Sequence, residues 1–329
     1  MDDKLVSIVI PSFNNSNVIG ETLESLINQS YKNWEAICVD DGSTDTTVEI
    51  IDHYIKQDKR IKLVKRQKLP KGGSHCRNIG IENATGEYLI LLDGDDILLP
   101  DCLKRRVTEM NDSSYDFIVY RMITFKDGKV IGRNVGDKTI SKFIYAFASA
   151  HAVWQITQPI YRMDFVRKLG GLDLNFLRMQ DIEFELRAVA QSKGNFCINL
   201  DDITPDCYYR LSDKITTAAK YELTLSQYDR FTNLVYTLKN KGMFENDSLY
   251  RKSLLCLLLG SYLVGLTPQL YDNKLKIDIS NTFKAHNPKN DLHLFERLIL
   301  STVNLFKKWP QVHFKISWFA RRAIMYIYM

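Results

Sequence analysis

Apolar and polar positions change period in a regular way through the first half of the chain. LVSIVIPSF (5–13) is a continuous, β-branched run, the pattern of a strand covered on both faces. NVIGETLESLINQSY then carries Val18, Leu23, Leu26 and Ile27 at helical spacing. WEAICVDDGSTD (34–45) reads as a second strand ending in acids and turn residues. TDTTVEIIDHYIKQ reads as a helix opened by capping residues, and IKLVKR (61–66) as a third strand. A loop and helix over GGSHCRNIGIENATG (72–86) lead into EYLILLDGDD, the fourth strand. The alternation predicts an α/β fold with a mainly parallel central sheet flanked by helices and joined by right-handed crossovers. In such sheets ligands bind beyond the carboxyl ends of the strands, where PSFNN, DDGSTD and DGDD all fall.

The later pattern is less regular. DFIVYRMITF (116–125) and KVIGR predict a hairpin turning at Lys126–Lys129. QDIEFELRAVAQSKG (180–194) predicts a helix with Ile182, Leu186 and Val189 on one face and Gly194 as its stop. FCINLDD and CYYRL read as strands. Beyond about residue 215 the period is helical, with Leu225, Tyr228, Phe231, Val235 and Leu238 on one stripe closed by Gly242. Two regions are therefore expected: an α/β domain over 1–215 and a helical region over 216–329.

Composition changes this picture little. The 329 residues are 45% hydrophobic and 25% charged, enough to bury a full core. A net charge of +5 gives no reason to expect nucleic acid as a partner. The positive charge is uneven: after Glu296 the chain carries Lys and Arg and no acid. Six cysteines, at 38, 76, 102, 197, 207 and 256, show no CxxC pair and no metal-ligand spacing. Their scatter, and the lack of an apolar signal-peptide core in MDDKLVSIVIPSF, predict a reduced, cytoplasmic protein. LLCLLLGSYLVGL (254–266) is too short to span a bilayer and reads as a buried helix.

The chemistry-bearing residues gather in the acidic clusters. Asp93 and Asp95 are two apart, so on an extended backbone they share a face. Such a pair suits a hard divalent cation that prefers oxygen ligands, and it equally suits a solvated loop whose Asp96 or Asp101 caps the next helix. Asp45 reads as a helix cap. Asp40 and Asp41, at the end of the second strand, are expected to face the same crevice as Asp93 and Asp95, where a carboxylate can accept the ring N–H of a pyrimidine. Arg77 is a fixed cation able to pair with those acids or with a diphosphate. Taken alone, Asp181 is a helix N-terminal carboxylate favoured by the dipole. Trp154 and His151 read as structural, with a sugar-acceptor wall as the other reading of Trp154.

Five of these stretches carry a resemblance. VSIVIPSFNN, VDDGSTDTT, CRNIGIENATGEYLILLDGDD, GGLDLNFLRMQDIEFELR and YYRLS, in this order over roughly residues 5 to 212, resemble family 2 glycosyltransferases of the GT-A fold. That likeness implies a Rossmann-like GT-A sheet, a nucleotide-sugar donor, UDP-linked by expectation, and inversion at the anomeric carbon. It implies Mg²⁺ or Mn²⁺ as cofactor. Pro11, Ser12, Asp40 and Asp41 take the nucleotide-binding positions, Asp93 the ribose and metal, and Asp95 the main metal ligand. The family's base is the Asp of an acidic pair opening a helix. Here the pair reads Gln180-Asp181, so an amide replaces the first acid and Asp181 remains. Glu183 is the nearest rival, but two residues along a helix it points away from Asp181. Tyr208, Tyr209 and Arg210 are expected to close over the donor phosphates.

The implied acceptor is a glycan, on a polyprenyl-diphosphate carrier, in cell-surface polysaccharide synthesis. The basic, aromatic stretch LFKKWPQVHFKISWFARRAIMYIYM (305–329) fits the inner surface of an anionic membrane, or a terminal helix docked on the core. Two other functions share parts of this pattern. Haloacid-dehalogenase-like phosphatases carry a DxD after a strand, but near the N-terminus and followed by Thr or Val, where this chain has Asp96 and Ile97. A non-catalytic nucleotide-sugar-binding module would not need Asp93, Asp95 and Asp181 together.

Overall fold

The computed structural model describes residues 3–67, 71–136, 142–200, 204–211 and 218–265. The stretch 305–329 lies outside the described residues. Two compact units divide the chain. The first takes in the described residues of Met1–Lys138, Trp154–Asn175 and Arg187–Asp213, and the second those of Thr139–Val153, Phe176–Leu186 and Lys214–Met329.

The first unit is built on a seven-stranded sheet. Its strands are β1 (Val6–Ser12), β2 (Trp34–Asp40), β3 (Ile61–Lys65), β4 (Tyr88–Leu91), β6 (Phe117–Tyr120), β9 (Pro159–Arg162) and β10 (Phe196–Asn199), in the order β10-β6-β9-β4-β1-β2-β3. All pairings are parallel except those of β9, which runs antiparallel between β4 and β6. A second, four-stranded sheet joins β5 (Ile97–Leu98), β11 (Cys207–Arg210), β7 (Met122–Lys126) and β8 (Lys129–Val135) in that order.

Covering helices explain why β1 has no polar face. Val6, Ile8 and Ile10 join one core cluster with Ile19, Leu23 and Leu26 of α1 (Ile19–Ile27) and Ile51 of α2 (Thr47–Gln57). Val9, on the opposite face, meets α3 (Gly73–Asn83), which packs on β1 and β2. A Cβ at Gly80 would stand 2.2 Å from a Val9 methyl, so only glycine lets this helix lie so close. α4 (Cys102–Asn111) packs on β6 and α6 (Met163–Leu169) on β9. Asp101 precedes α4, but its carboxylate accepts the Ser30 hydroxyl at 2.7 Å and makes no cap bond.

The hairpin turns where expected, at Asp127-Gly128 between β7 and β8. The run DFIVYRMITF, however, is two strands and not one. The chain breaks at Arg121, leaving β6 in the larger sheet and sending β7 to the smaller. An apolar run buried along both strands has no period to mark such a switch.

In the second unit, α5 (Phe143–Ala148) and α8 (Ala218–Asn240) both pack on α9 (Asp247–Gly265). Tyr228, Phe231, Val235 and Leu238 of α8 are buried, as their spacing predicts. Phe176 meets Phe231 edge-on at 6.2 Å, and the Tyr145 hydroxyl accepts the Asn246 amide at 2.9 Å. Helix α7 (Gln180–Ser192) opens in this unit, with Asp181 in its first turn and Glu183 buried. Among the described residues no helix is long and apolar enough to cross a membrane. All six cysteines are free.

One buried carboxylate locks the start of the sheet. Glu35 of β2 accepts the Ser7 hydroxyl at 2.8 Å, the Thr85 amide and hydroxyl at 2.7 and 2.8 Å, and Lys62 Nζ at 2.7 Å. Burial alone would raise its pKa, but the bonds from Lys62, Thr85 and Ser7 outweigh burial and lower it from 4.5 to about 2. A carboxyl whose folded pKa is depressed contributes stability that is complete above its unfolded value. Stability should therefore fall as pH drops from 4.5 towards 2. Glu35→Gln is expected to cost about 1–3 kcal/mol at neutral pH and to flatten that acid limb, as read by urea unfolding across the pH range. An unchanged acid limb would contradict this role.

Candidate functional site

The carboxyl ends of β1, β2 and β4 meet at a cleft of about 200 Å³. Pro11, Ser12, Phe13, Asn15, Asp41, Gly73, Cys76, Asp93, Gly94 and Asp95 line it. Pro11 sits in β1 past Val9, the last residue paired with β4, so its missing N–H falls beyond that pairing. Ser12 lines the cleft and is buried, and its Oγ has no hydrogen-bond partner among the described residues.

Two loops are laced together beneath the cleft. Asn14, with φ 51°, donates its amide to Ser43 Oγ at 3.0 Å and accepts the Thr44 amide at 2.8 Å. The Asn15 amide donates to Thr47 Oγ1 at 2.8 Å and the Ser16 amide to Asp45 at 3.1 Å. Asp45 also accepts the Thr47 amide at 3.0 Å at the start of α2, and the Thr47 hydroxyl and the Ser16 amide hold its pKa down to about 2.

The two acids of VDDG part ways. Asp41 lines the cleft, fixed by an ion pair with Arg66 and by the Gly72 amide at 3.0 Å. Asp40 does not reach it, because its carboxylate accepts the amides of Gly42 and Ser43 at 3.0 and 3.2 Å and so turns back on its own loop. Beside Asp41 lies Cys76, whose thiol is pushed up to about 12 by burial and then by the Asp41 charge, and which is therefore inert as a nucleophile.

The acid group at residues 93–96 is a turn and not an extended strand. β4 stops at Leu91, and the Asp96 amide donates to Asp93 O at 3.0 Å. Asp93 and Asp95 share the cleft all the same. Arg77, buried on α3, pairs with Asp93. Asp96 is buried beneath the turn, and its carboxylate accepts Thr157 Oγ1 at 2.8 Å and the Arg210 amide at 3.1 Å. Burial, then the charges of Asp93 and Asp95, push its pKa well above the usual carboxylate range. Gly94 brings the turn against β1, for a Cβ there would lie 2.8 Å from Asn15 Nδ2 and 3.0 Å from Pro11 O.

Arg210 is engaged at the acidic turn. Its Nε donates to Asp95 O at 2.8 Å and its Nη2 to Glu21 at 2.9 Å, while Tyr208 stacks on Phe125 with ring centroids 6.0 Å apart. Trp154 is fully buried, 6.3 Å from the Phe117 ring, and forms no wall. Asp181 belongs to the second unit. Phe13, Asn15, Gly73 and Cys76 also line the cleft, although residue type alone does not mark them; they lie in the PSFNN cluster and the loop-and-helix stretch GGSHCRN. Arg66, at the end of β3, carried no signal at all.

Residues 7–163, just under half of the chain, match the family Glycosyl transferase family 2. They form a family 2 glycosyltransferase domain. The match spans the acidic turn on which the phosphatase alternative relied. An uncharacterized glycosyltransferase of Haemophilus influenzae is 41% identical over 110 residues, 33% of this chain and 44% of that one. The Escherichia coli UDP-Glc:alpha-D-GlcNAc-diphosphoundecaprenol beta-1,3-glucosyltransferase WfgD is 31% identical over 142 residues, 43% of this chain and 54% of the relative. The Bacillus subtilis putative teichuronic acid biosynthesis glycosyltransferase TuaG is 35% identical over 144 residues, 43% and 53% of the two chains. The chain thus spans about half the length of the curated relatives it matches. In fold it is similar to S. aureus TarS 1-349, with a TM-score of 0.64 at 17% identity over 97% of this chain and 90% of that one. A structure of the same TarS segment in complex with UDP-GlcNAc matches with the same score and identity, over 97% and 91% of the two chains. The sheet of the family 2 domain is the GT-A-like arrangement expected from its motifs.

The close contact at Gly94 yields a direct test. Gly94→Ala is expected to destabilise the domain by about 1–3 kcal/mol through overpacking against Pro11 and Asn15, measured as a lower urea midpoint. A midpoint equal to that of the parent chain would show that the turn moves away without cost.

Proposed function

We propose that the chain transfers a sugar, with inversion, from a UDP-linked donor to a hydroxyl of a glycan acceptor on a polyprenyl-diphosphate carrier. The observation that carries this reading is the convergence of Asp41, Asp93, Asp95 and the unpartnered Ser12 hydroxyl on one cleft of a family 2 domain. WfgD, named for a UDP-Glc donor and an alpha-D-GlcNAc-diphosphoundecaprenol acceptor, supports this donor and acceptor chemistry, and TarS, determined in complex with UDP-GlcNAc, supports the donor. Residues 1–215 would carry donor binding and catalysis, and 216–329 would serve the acceptor. The basic aromatic stretch 305–329 suits an anionic membrane surface where such acceptors reside.

Each side chain has a task in this reading. Phe13 is 46% exposed at the cleft and offers a stacking face for a base, with Lys71 Nζ 5.4 Å from its ring centroid. Asp41, held by Arg66 and the Gly72 amide, accepts the imide N–H of uracil. Ser12 donates its hydroxyl to the nucleotide. Arg77 balances Asp93 and stands ready for phosphate charge.

The donor set fits a hard divalent cation. Asp93 and Asp95 line the cleft and supply oxygen ligands only. Among the described residues no group of three or more His, Cys, Asp or Glu could hold a metal by itself. A two-carboxylate site completed by donor phosphates meets both observations. When bound, Mg²⁺ or Mn²⁺ would stabilise the charge that develops on the departing diphosphate. The acceptor hydroxyl is a poor nucleophile until a carboxylate takes its proton, and Asp181, fixed at the first turn of α7, is the base proposed for it.

Asp95→Ala is expected to abolish Mn²⁺-dependent UDP binding, read by thermal shift with and without metal. Binding that persists in Mn²⁺ would remove Asp95 from the site. Asp181→Asn is expected to keep donor affinity and to lose about 10²–10⁴-fold in turnover, measured with a nucleotide-sugar panel and lipid-linked acceptors. Should rate and affinity both survive, another base is at work.

A further inference from the structure

We propose that Thr157 is a positioning residue whose hydroxyl ties the first and last residues of the acidic turn together and so presents Asp93 and Asp95 to the cation in fixed register. The proposal rests on the metal-and-donor reading above and adds to it a residue that no motif contains. Thr157 is fully buried, and its Oγ1 donates to the Asp96 carboxylate at 2.8 Å while accepting the Asp93 amide at 3.3 Å. A hydroxyl has one proton and two lone pairs, so it makes both bonds at once. Valine at this position would keep the shape and lose both.

The arm that delivers Thr157 is itself anchored. Arg106, fully buried on α4, donates Nη1 to Thr157 O at 3.1 Å and to Pro159 O at 3.5 Å. Its Nε and Nη2 grip the Asp206 carboxylate at 2.8 Å each. Asp206 immediately precedes β11, whose Arg210 holds the other side of the turn through the Asp96 carboxylate and the Asp95 carbonyl. One guanidinium therefore fixes both supports of the turn. Three acidic side chains lie within four residues here, and without these donors the buried Asp96 would relax towards water and carry the turn with it. Supports of this kind beyond the ligands orient them for the metal.

The test uses the full chain and two readouts, on Thr157→Val and Thr157→Ser. Hydrogen exchange of the metal-free protein reads the turn directly. Thr157→Val should speed exchange of the Asp93 amide about tenfold or more while the β1 amides stay protected, since one buried acceptor is lost. Calorimetric titration with UDP in Mn²⁺ should show affinity weakened by about 10–100-fold in Thr157→Val and restored in Thr157→Ser. If Thr157→Val does not fold, Thr157→Cys, which keeps the size and weakens both bonds, is read in the same way. Parent-like exchange and affinity in Thr157→Val would overturn the proposal. So would a Thr157→Ser variant as weak as Thr157→Val, because the methyl and not the hydroxyl would then matter. A parent chain with the expected exchange pattern but no Mn²⁺-dependent UDP binding would overturn the donor reading itself, and with it the purpose assigned to the clamp.

Discussion

Like charges at close range set the central constraint on this protein. Asp93, Asp95 and Asp96 crowd one turn, and each would lower its energy by moving towards water. The first unit answers with a support for each. Arg77 pairs with Asp93, the Arg210 guanidinium holds the Asp95 carbonyl, and Thr157 with the Arg210 amide receives the buried Asp96 carboxylate. These partners come from α3, from the chain leading into β9, and from β11 in the smaller sheet. Much of the topology after β4 can be understood as bringing them to that place.

The other half of the site follows from β1. Parallel strands on both sides and apolar cover on both faces leave the strand no freedom of register. Its carboxyl end, with Pro11, Ser12 and Phe13, is thereby set beside Asp41 and against Gly94. On this rigid scaffold the Ser12 hydroxyl stays without a hydrogen-bond partner among the described residues, a cost that a bound ligand would relieve.

Much of this was legible before the structure. β-branched runs and helical spacing located the first four strands and three helices, because covered parallel strands and amphipathic helices write their burial directly into residue type. The acidic clusters were placed correctly at the strand ends. What stayed hidden depended on partners distant in sequence. The switch of sheets at Arg121 falls inside a uniformly apolar run, and β9 carries no period that announces an antiparallel strand inserted between β4 and β6.

Residue types and their order determined that the chain has a parallel α/β domain of the family 2 type, with its chemistry at the carboxyl ends of the strands. Tertiary structure alone decided which carboxylates line the cleft. Asp40 and Asp41 are adjacent and chemically identical, yet one bonds its own loop and the other, gripped by Arg66 and Gly72, faces the cleft. Asp95 and Asp96 divide in the same way, since only Asp96 is taken below the turn by Thr157 and Arg210. A sequence shows which side chains can accept hydrogen bonds, but the donors that claim each one arrive from elsewhere in the chain and exist as neighbours only after folding.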